Sequence, residues 1–300
     1  MRGNYSVAST KFWTLVANWV GLVISVIGII GLFYSIFESE KVSLTGIAQA
    51  DKALYSLMMF SSGLSLASCA YIIYFTKKSD DITFINNRYI LVLFSLSVGG
   101  IFTPIILTRL PNVDVKSTIM PRVSISQGYA AVLTSSGLLA LTYLLATQAV
   151  QWNAMFNGDE YVTLTSAMAI LAIVAISWGL INSMMFLGKD VEKRFESGMR
   201  VPMLIVSTIN LILGTITLVW IIFMSILNIL AAISEMFNRN NGFLGTLLNS
   251  MYLGLRIALQ MFIIYTAWHC IIGIWKNENF EYKRNENLAS KQEQYAASTN

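Results

Sequence analysis

The feature that most constrains this chain is the spacing of its charged residues. Eight long runs, each of 16 residues or more, contain no Asp, Glu, Lys or Arg, and they cover residues 12–37, 53–76, 89–108, 123–158, 161–188, 201–234, 240–255 and 257–275. A helix needs about 20 apolar residues to cross a hydrocarbon core about 30 Å thick, so seven of these runs are long enough to span. Only 12% of the residues are charged, about half the share in a soluble domain. The chain is therefore predicted to be a polytopic membrane protein.

The charge-free runs favour an all-α transmembrane bundle. Backbone groups in lipid must bond within the protein, and none of the runs shows the ten-residue alternating pattern of a transmembrane barrel. We predict seven helices at 13–36, 53–76, 89–108, 127–150, 162–187, 202–233 and 244–275. The last two are long and are expected to form a hairpin that projects beyond the bilayer. Residues 1–276 would be the transmembrane domain and 277–300 a disordered polar tail.

Lys and Arg in the connections predict the orientation. With seven crossings, six basic residues fall on the side of the N-terminus and thirteen on the opposite side. The positive-inside rule then places the N-terminus outside and the C-terminus in the cytoplasm. Asn4, in an Asn-Tyr-Ser sequon, would lie outside and is a possible glycosylation site. We expect the membrane to be the plasma membrane.

Reactive groups are scarce in the predicted spans. No Asp or Glu lies inside any of them, and Cys69 and Cys270 sit in apolar runs, where a free cysteine behaves as a small hydrophobe. Because the chain has one histidine, His269, it cannot build a bis-His haem or a His-rich metal site by itself. A lone histidine in a span is expected to bond to a neighbouring helix. We therefore expect no enzyme activity, no cofactor, no metal and no nucleic-acid partner.

A small set of polar residues forms the candidate site. Arg256 is the single charge in the last hydrophobic stretch, and Asn249 and Gln260 share its helix face within about 60°. Asn210 and Asn228 lie eighteen residues apart, which is five full turns of the preceding helix. These five side chains could surround a polar cavity in which Arg256 acts as an anion site or gate. The alternative is that 257–275 spans alone and Arg256 lies at the outer interface.

Three functions remain open. A non-catalytic scaffold or accessory subunit is favoured by the missing reactive groups and by small residues at four-residue spacing, which let transmembrane helices pack closely. Its partners would be the lipid bilayer and other membrane proteins, or further copies of the chain. A facilitative channel or transporter is the alternative if the five polar residues line one cavity. A seven-helix receptor is the third, although no acidic residue precedes Arg109 and the last helix has no Asn-Pro-x-x-Tyr pattern.

Overall fold

A computed structural model shows that all regular structure in the residues it describes is helical. It describes residues 7–37, 44–45, 47–108, 110, 117–150, 152, 160–188, 190–196, 198–238 and 249–275. The helices within these ranges are α1 Val7–Phe37, α2 Ala48–Lys78, α3 Asp81–Asn86, α4 Arg88–Leu96, α5 Phe102–Leu107, α6 Pro121–Ala146, α7 Glu160–Phe186, α8 Val191–Glu196, α9 Arg200–Asn238 and α10 Asn249–Trp275. The predicted tail, 277–300, lies outside the described residues, as does Asn4.

Six of the helices are long and apolar enough to cross a membrane. They are α1, α2, α6, α7, α9 and α10, and they correspond to six of the seven predicted spans. The seventh prediction, 89–108, is not confirmed, because two short helices, α4 and α5, occupy this run. Gly99 interrupts the run with a φ of +76°, a left-handed conformation that glycine adopts without steric strain. The described residues form two compact units.

The first unit draws on Met1–Ser79 and Val123–Asn210, and its helices pack in antiparallel pairs. Ser25 on α1 donates to Ser65 on α2 at 2.8 Å. The start of α1 reaches the end of α2, where Lys11 donates to the Ser79 carbonyl at 2.8 Å. Between the later helices, a Cβ on Gly137 of α6 would lie 2.5 Å from the Ala172 carbonyl oxygen of α7. Such close approach of helix backbones requires small residues at the crossing.

Helices α2 and α6 of this unit run antiparallel over their whole length. The aromatic rings of Tyr55 and Tyr143 lie 6.2 Å apart near one end. Near the other end, the Tyr71 hydroxyl donates to the Ser124 carbonyl at 2.6 Å. The end of α2 and the start of α6 therefore lie at the same end of the unit.

The second unit, from Asp80–Arg122 and Leu211–Asn300, contains a helical hairpin built from α4 and α5. Arg88, at the start of α4, donates to the carbonyl of Leu110, just after α5. At the tip of the hairpin, the Gly100 N–H donates to the Ser95 carbonyl at 2.8 Å. Nine helical residues rise about 13 Å, roughly half the thickness of a hydrocarbon core. The segment therefore reverses direction instead of continuing as one helix.

Helices α9 and α10 form the long antiparallel pair that the sequence predicts. Within the second unit, the Trp275 indole donates to Thr215 Oγ1 at 3.0 Å. Near the end of α9 and the start of α10, Arg256 contacts Glu235. In an antiparallel pair with a constant register, the residue numbers of facing residues have a constant sum. Both contacts give a sum of about 490, so the register is constant over about 20 residues of each helix.

Candidate functional site

A buried polar cluster in the first unit joins α6, α7 and α9 through Asn210. The Asn210 carbonyl oxygen accepts a hydrogen bond from the Trp178 indole at 2.9 Å. Its amide nitrogen donates to Ser126 Oγ at 2.9 Å and to Asn182 Oδ1 at 2.6 Å. The side chains of Ser126, Asn182 and Asn210 are fully buried. Each polar atom of the Asn210 amide is thus used in binding a neighbouring helix.

The cluster is completed within α7. The Asn182 amide nitrogen donates to the Trp178 carbonyl one turn earlier, at 2.9 Å. This bond fixes the Asn182 side chain with its oxygen towards Asn210, because an amide that donates through nitrogen leaves its oxygen to accept. Buried amide networks of this kind join membrane helices at defined positions.

A cavity of about 410 Å³ opens beside this cluster in the same unit, between α2, α6 and α7. Most of its wall is apolar or small, and the polar groups are Tyr71, Tyr74, Gln127, Thr134, Ser135 and Ser183. The Gln127 amide nitrogen donates to the Phe186 carbonyl at 3.0 Å. Tyr74, Ala70 and Leu187 are exposed, so the cavity opens at the side of the helices.

The base of the α4–α5 hairpin in the second unit is a cluster around Arg88 and Tyr89. The buried Arg88 guanidinium donates to the Leu110 carbonyl and to the Tyr89 hydroxyl and stacks 4.6 Å from the Tyr89 ring centre. The Tyr89 ring fills the space above Gly273, and Cys270 Sγ donates to the Tyr89 carbonyl at 2.9 Å. These contacts hold the start of the hairpin against the end of α10.

Hydrogen bonds of two threonines join the residues before the α4–α5 hairpin to the residues after it. Thr118 Oγ1 lies 2.8 Å from Thr83 Oγ1 and donates to Asp80 Oδ1 at 3.2 Å. Burial acts to raise the pKa of Asp80, but hydrogen bonds from Thr83 and Thr118 outweigh it, and this pKa lies below its ordinary value. The carboxylate is therefore kept charged and joined to the returning part of the segment.

Arg256 forms an ion pair in the second unit. Its Nη1 lies 3.2 and 3.3 Å from the two carboxylate oxygens of Glu235, and the Glu235 side chain is half exposed. Arg256 lies seven residues, about 10 Å, from the start of α10.

The other predicted site residues have different surroundings. Asn210 belongs to the first unit, whereas Asn228, Asn249, Arg256 and Gln260 belong to the second. Asn228 and Gln260 come to the same level of the α9–α10 pair, but no hydrogen bond joins them to each other. Asn249 is the first described residue of α10. Their role as a cavity lining stays a prediction.

Sequence reasoning missed the partners of these residues. Glu235 lies two residues beyond the predicted sixth span, and Asn182 lies inside the fifth, four residues after Trp178. A polar pair at helical spacing inside a span was the available signal for Asn182. The sequence predicts that His269 bonds to a neighbouring helix, but its Nδ1 lies 2.9 Å from the Tyr265 carbonyl of its own helix. In the described ranges, no three His, Cys, Asp or Glu side chains lie together as a metal site would require.

Compared with known protein families, curated proteins and solved structures, the chain gives no match.

Proposed function

We propose that this integral membrane protein is a non-catalytic scaffold or accessory subunit of a membrane complex, in the plasma membrane. The observation that carries the proposal is the Asn210 cluster, in which span-embedded polar groups bind each other. A transport pathway needs polar groups that remain free to replace the water of a solute. Side chains that are saturated by helix contacts instead serve assembly of the bundle.

The outward faces support the same proposal. Large apolar side chains cover exposed positions along α1 and α9, for example Ile24 and Ile27 on α1 and Ile216 and Trp220 on α9. Such faces bind lipid or the apolar faces of other membrane helices. The proposed partners are therefore the bilayer and further membrane proteins or copies of the chain.

Co-purification tests this function. The tagged chain is extracted in a mild detergent, and proteins that elute with it are quantified by mass spectrometry against an unrelated six-helix membrane protein carrying the same tag. We expect at least one membrane protein at a fixed ratio to the chain, surviving a second purification step. A chain that elutes alone and mediates solute flux in liposomes would overturn the scaffold proposal.

We also propose six crossings with both termini in the cytoplasm, in place of the predicted outer N-terminus. With six crossings, Lys41, Lys52 and Arg239 lie in or next to the connections on one side, and Arg256 lies within α10. The remaining sixteen of the 20 basic residues lie towards the other side. This sixteen-to-three bias is much larger than the thirteen-to-six bias of seven crossings. The positive-inside rule places the richer side in the cytoplasm.

A facilitative channel or transporter is the second candidate, and the α4–α5 hairpin favours it. Non-helical backbone at membrane depth is tolerated where it is buried in protein or lines a water-filled path, and Ser97 to Ile101 interrupts the helices of this hairpin. Liposome flux of the wild type and of a Gly99→Val variant distinguishes the two candidates. Flux that this substitution abolishes would favour transport, whereas absence of wild-type flux would favour the scaffold.

A further inference from the structure

The cavity between α2, α6 and α7 has the form of a lipid site. Its walls extend from Ala67 to Tyr74 on α2 and from Gln127 to Ser135 on α6, about 10 to 12 Å along each helix axis. Four alanines supply much of this wall: Ala67, Ala70, Ala130 and Ala131. An elongated apolar cleft parallel to membrane helices matches the shape of part of an acyl chain.

The alanines of the cavity wall leave space between the helices, whereas Gly63, farther along α2, allows α2 and α6 to pack closely. A Cβ on Gly63 would lie 2.7 Å from the Ser136 Cα, so α2 and α6 are in close contact beyond the closed end of the cavity. Towards the other end, the exposed side chains of Tyr74 and Leu187 border the opening. The cavity is thus closed deep in the bundle and open to the side near the helix ends.

Two basic side chains bind the residues at this opening. Lys78 Nζ donates to the Tyr74 hydroxyl at 2.7 Å. Arg194 donates to the Leu187 carbonyl at 2.8 Å. Both cations are attached to wall residues of the same cavity, and Lys77 accompanies Lys78 in the last turn of α2. Positive charge at the mouth of an apolar cleft is complementary to an amphiphile with an anionic head.

We propose that this cavity binds one anionic phospholipid, with an acyl chain between α2, α6 and α7 and its phosphate beside Lys78 and Arg194. A water-soluble anion has no apolar part to contact the cavity walls. A zwitterionic lipid has no net charge, so its headgroup would be attracted less strongly by Lys78 and Arg194. Basic pockets between membrane helices recognise anionic headgroups in this way. The site is separate from the Asn210 cluster and does not depend on the scaffold proposal.

Native mass spectrometry of the full-length protein in a neutral detergent tests the site. The protein is titrated with dioleoyl-phosphatidylglycerol or dioleoyl-phosphatidylcholine, which share their acyl chains and differ in head charge. We expect one retained phosphatidylglycerol per chain and a clear preference over phosphatidylcholine. Each basic side chain near an anionic surface contributes roughly fivefold, so Lys78→Gln with Arg194→Gln should reduce the preference by about 25-fold.

Matched variants separate the head site from the chain site. Ala131→Phe fills the cavity and should abolish retention of both lipids, with Ala70→Phe at the opening as the substitute if the first variant fails to fold by circular dichroism. Lys41→Gln with Lys52→Gln removes the same charge from the sequence before α2 and from the first turns of α2, and it should leave the preference unchanged. Equal retention of the two lipids by the wild type, or undiminished phosphatidylglycerol retention after the cavity is filled, would overturn the proposal.

Discussion

Asn210 shows how one amide can organise a membrane helix bundle. Its oxygen and nitrogen bind Trp178, Ser126 and Asn182 on two other helices. In hydrocarbon these groups have no water to replace a lost partner, so removing one leaves others unsatisfied. The position of Asn210 on a shared face with Asn228 was visible in the sequence. The partner helices were not, because helical spacing reports which residues share a face but not what that face meets.

Substitution of Asn210 by leucine should therefore destabilise the protein. Interhelical hydrogen bonds in membranes contribute about 0.6 kcal/mol each and up to about 1.7, so loss of three should lower the free energy of unfolding by about 2 to 5 kcal/mol. The change is measured by thermal unfolding in detergent, with circular dichroism as the signal.

Asn228→Leu is the control for this prediction, since it makes the same change on the same helix. Asn228 is half-buried and makes no hydrogen bond to another residue in the part of the chain that the structure describes. The control should shift the free energy of unfolding by less than about 0.5 kcal/mol. Equal losses in the two variants would show that the Asn210 cluster does not support the bundle.

At the scale of elements, the close crossing of α6 and α7 depends on two glycines. Gly137 faces the Ala172 carbonyl and Gly179 faces Thr134. Backbone atoms cannot move aside as a flexible side chain can, so any Cβ at Gly137 must push the helices apart. On both helices this crossing borders the cavity and the polar cluster, and it fixes the distance at which their side chains meet.

Gly137→Ala should destabilise the bundle although alanine is the better helix former. The new Cβ would lie 2.5 Å from the Ala172 oxygen, and overpacking of this kind costs about 1 to 3 kcal/mol. Gly28→Ala on α1 is the matched control, because no atom lies within 4 Å of its added Cβ. It should be neutral or stabilise by up to about 1 kcal/mol. The measurement is the unfolding midpoint of each variant relative to the wild type. A Gly137→Ala variant that is more stable than the wild type would contradict the close crossing of α6 and α7.

For the whole molecule, the sequence could predict the membrane class and six of the helices, because charge-free length is a local property. The run 89–108 satisfies the same criterion of length and apolarity, although it folds as the two short helices α4 and α5. What bends it back is partly local, the left-handed Gly99, and partly tertiary, the bonds of Arg88 to Leu110 and of Thr118 to Asp80. Tertiary bonds leave no periodic mark in a sequence. Likewise Arg256 was recognisable as unusual, but its partner Glu235 depends on the register of a hairpin.

The orientation of the chain is the prediction that tests this whole-molecule description. In a Cys69→Ser, Cys270→Ser background, one reporter cysteine is introduced at Ser6, Ser43 or Ser298 and treated with a membrane-impermeant maleimide on intact cells. With six crossings, Ser43→Cys is outside the cell and reacts, whereas Ser6→Cys is inside and is protected. With seven crossings the two results are exchanged, because the C-terminus is in the cytoplasm in both arrangements and one more crossing at 89–108 places every preceding connection on the opposite side. Ser298→Cys lies in the cytoplasm under both and should react only after permeabilisation, which verifies that the cells are intact. Asn4 should then carry no glycan, since a cytoplasmic sequon does not meet the glycosylation machinery, and labelling of Ser6→Cys from outside would rule out the six-crossing arrangement.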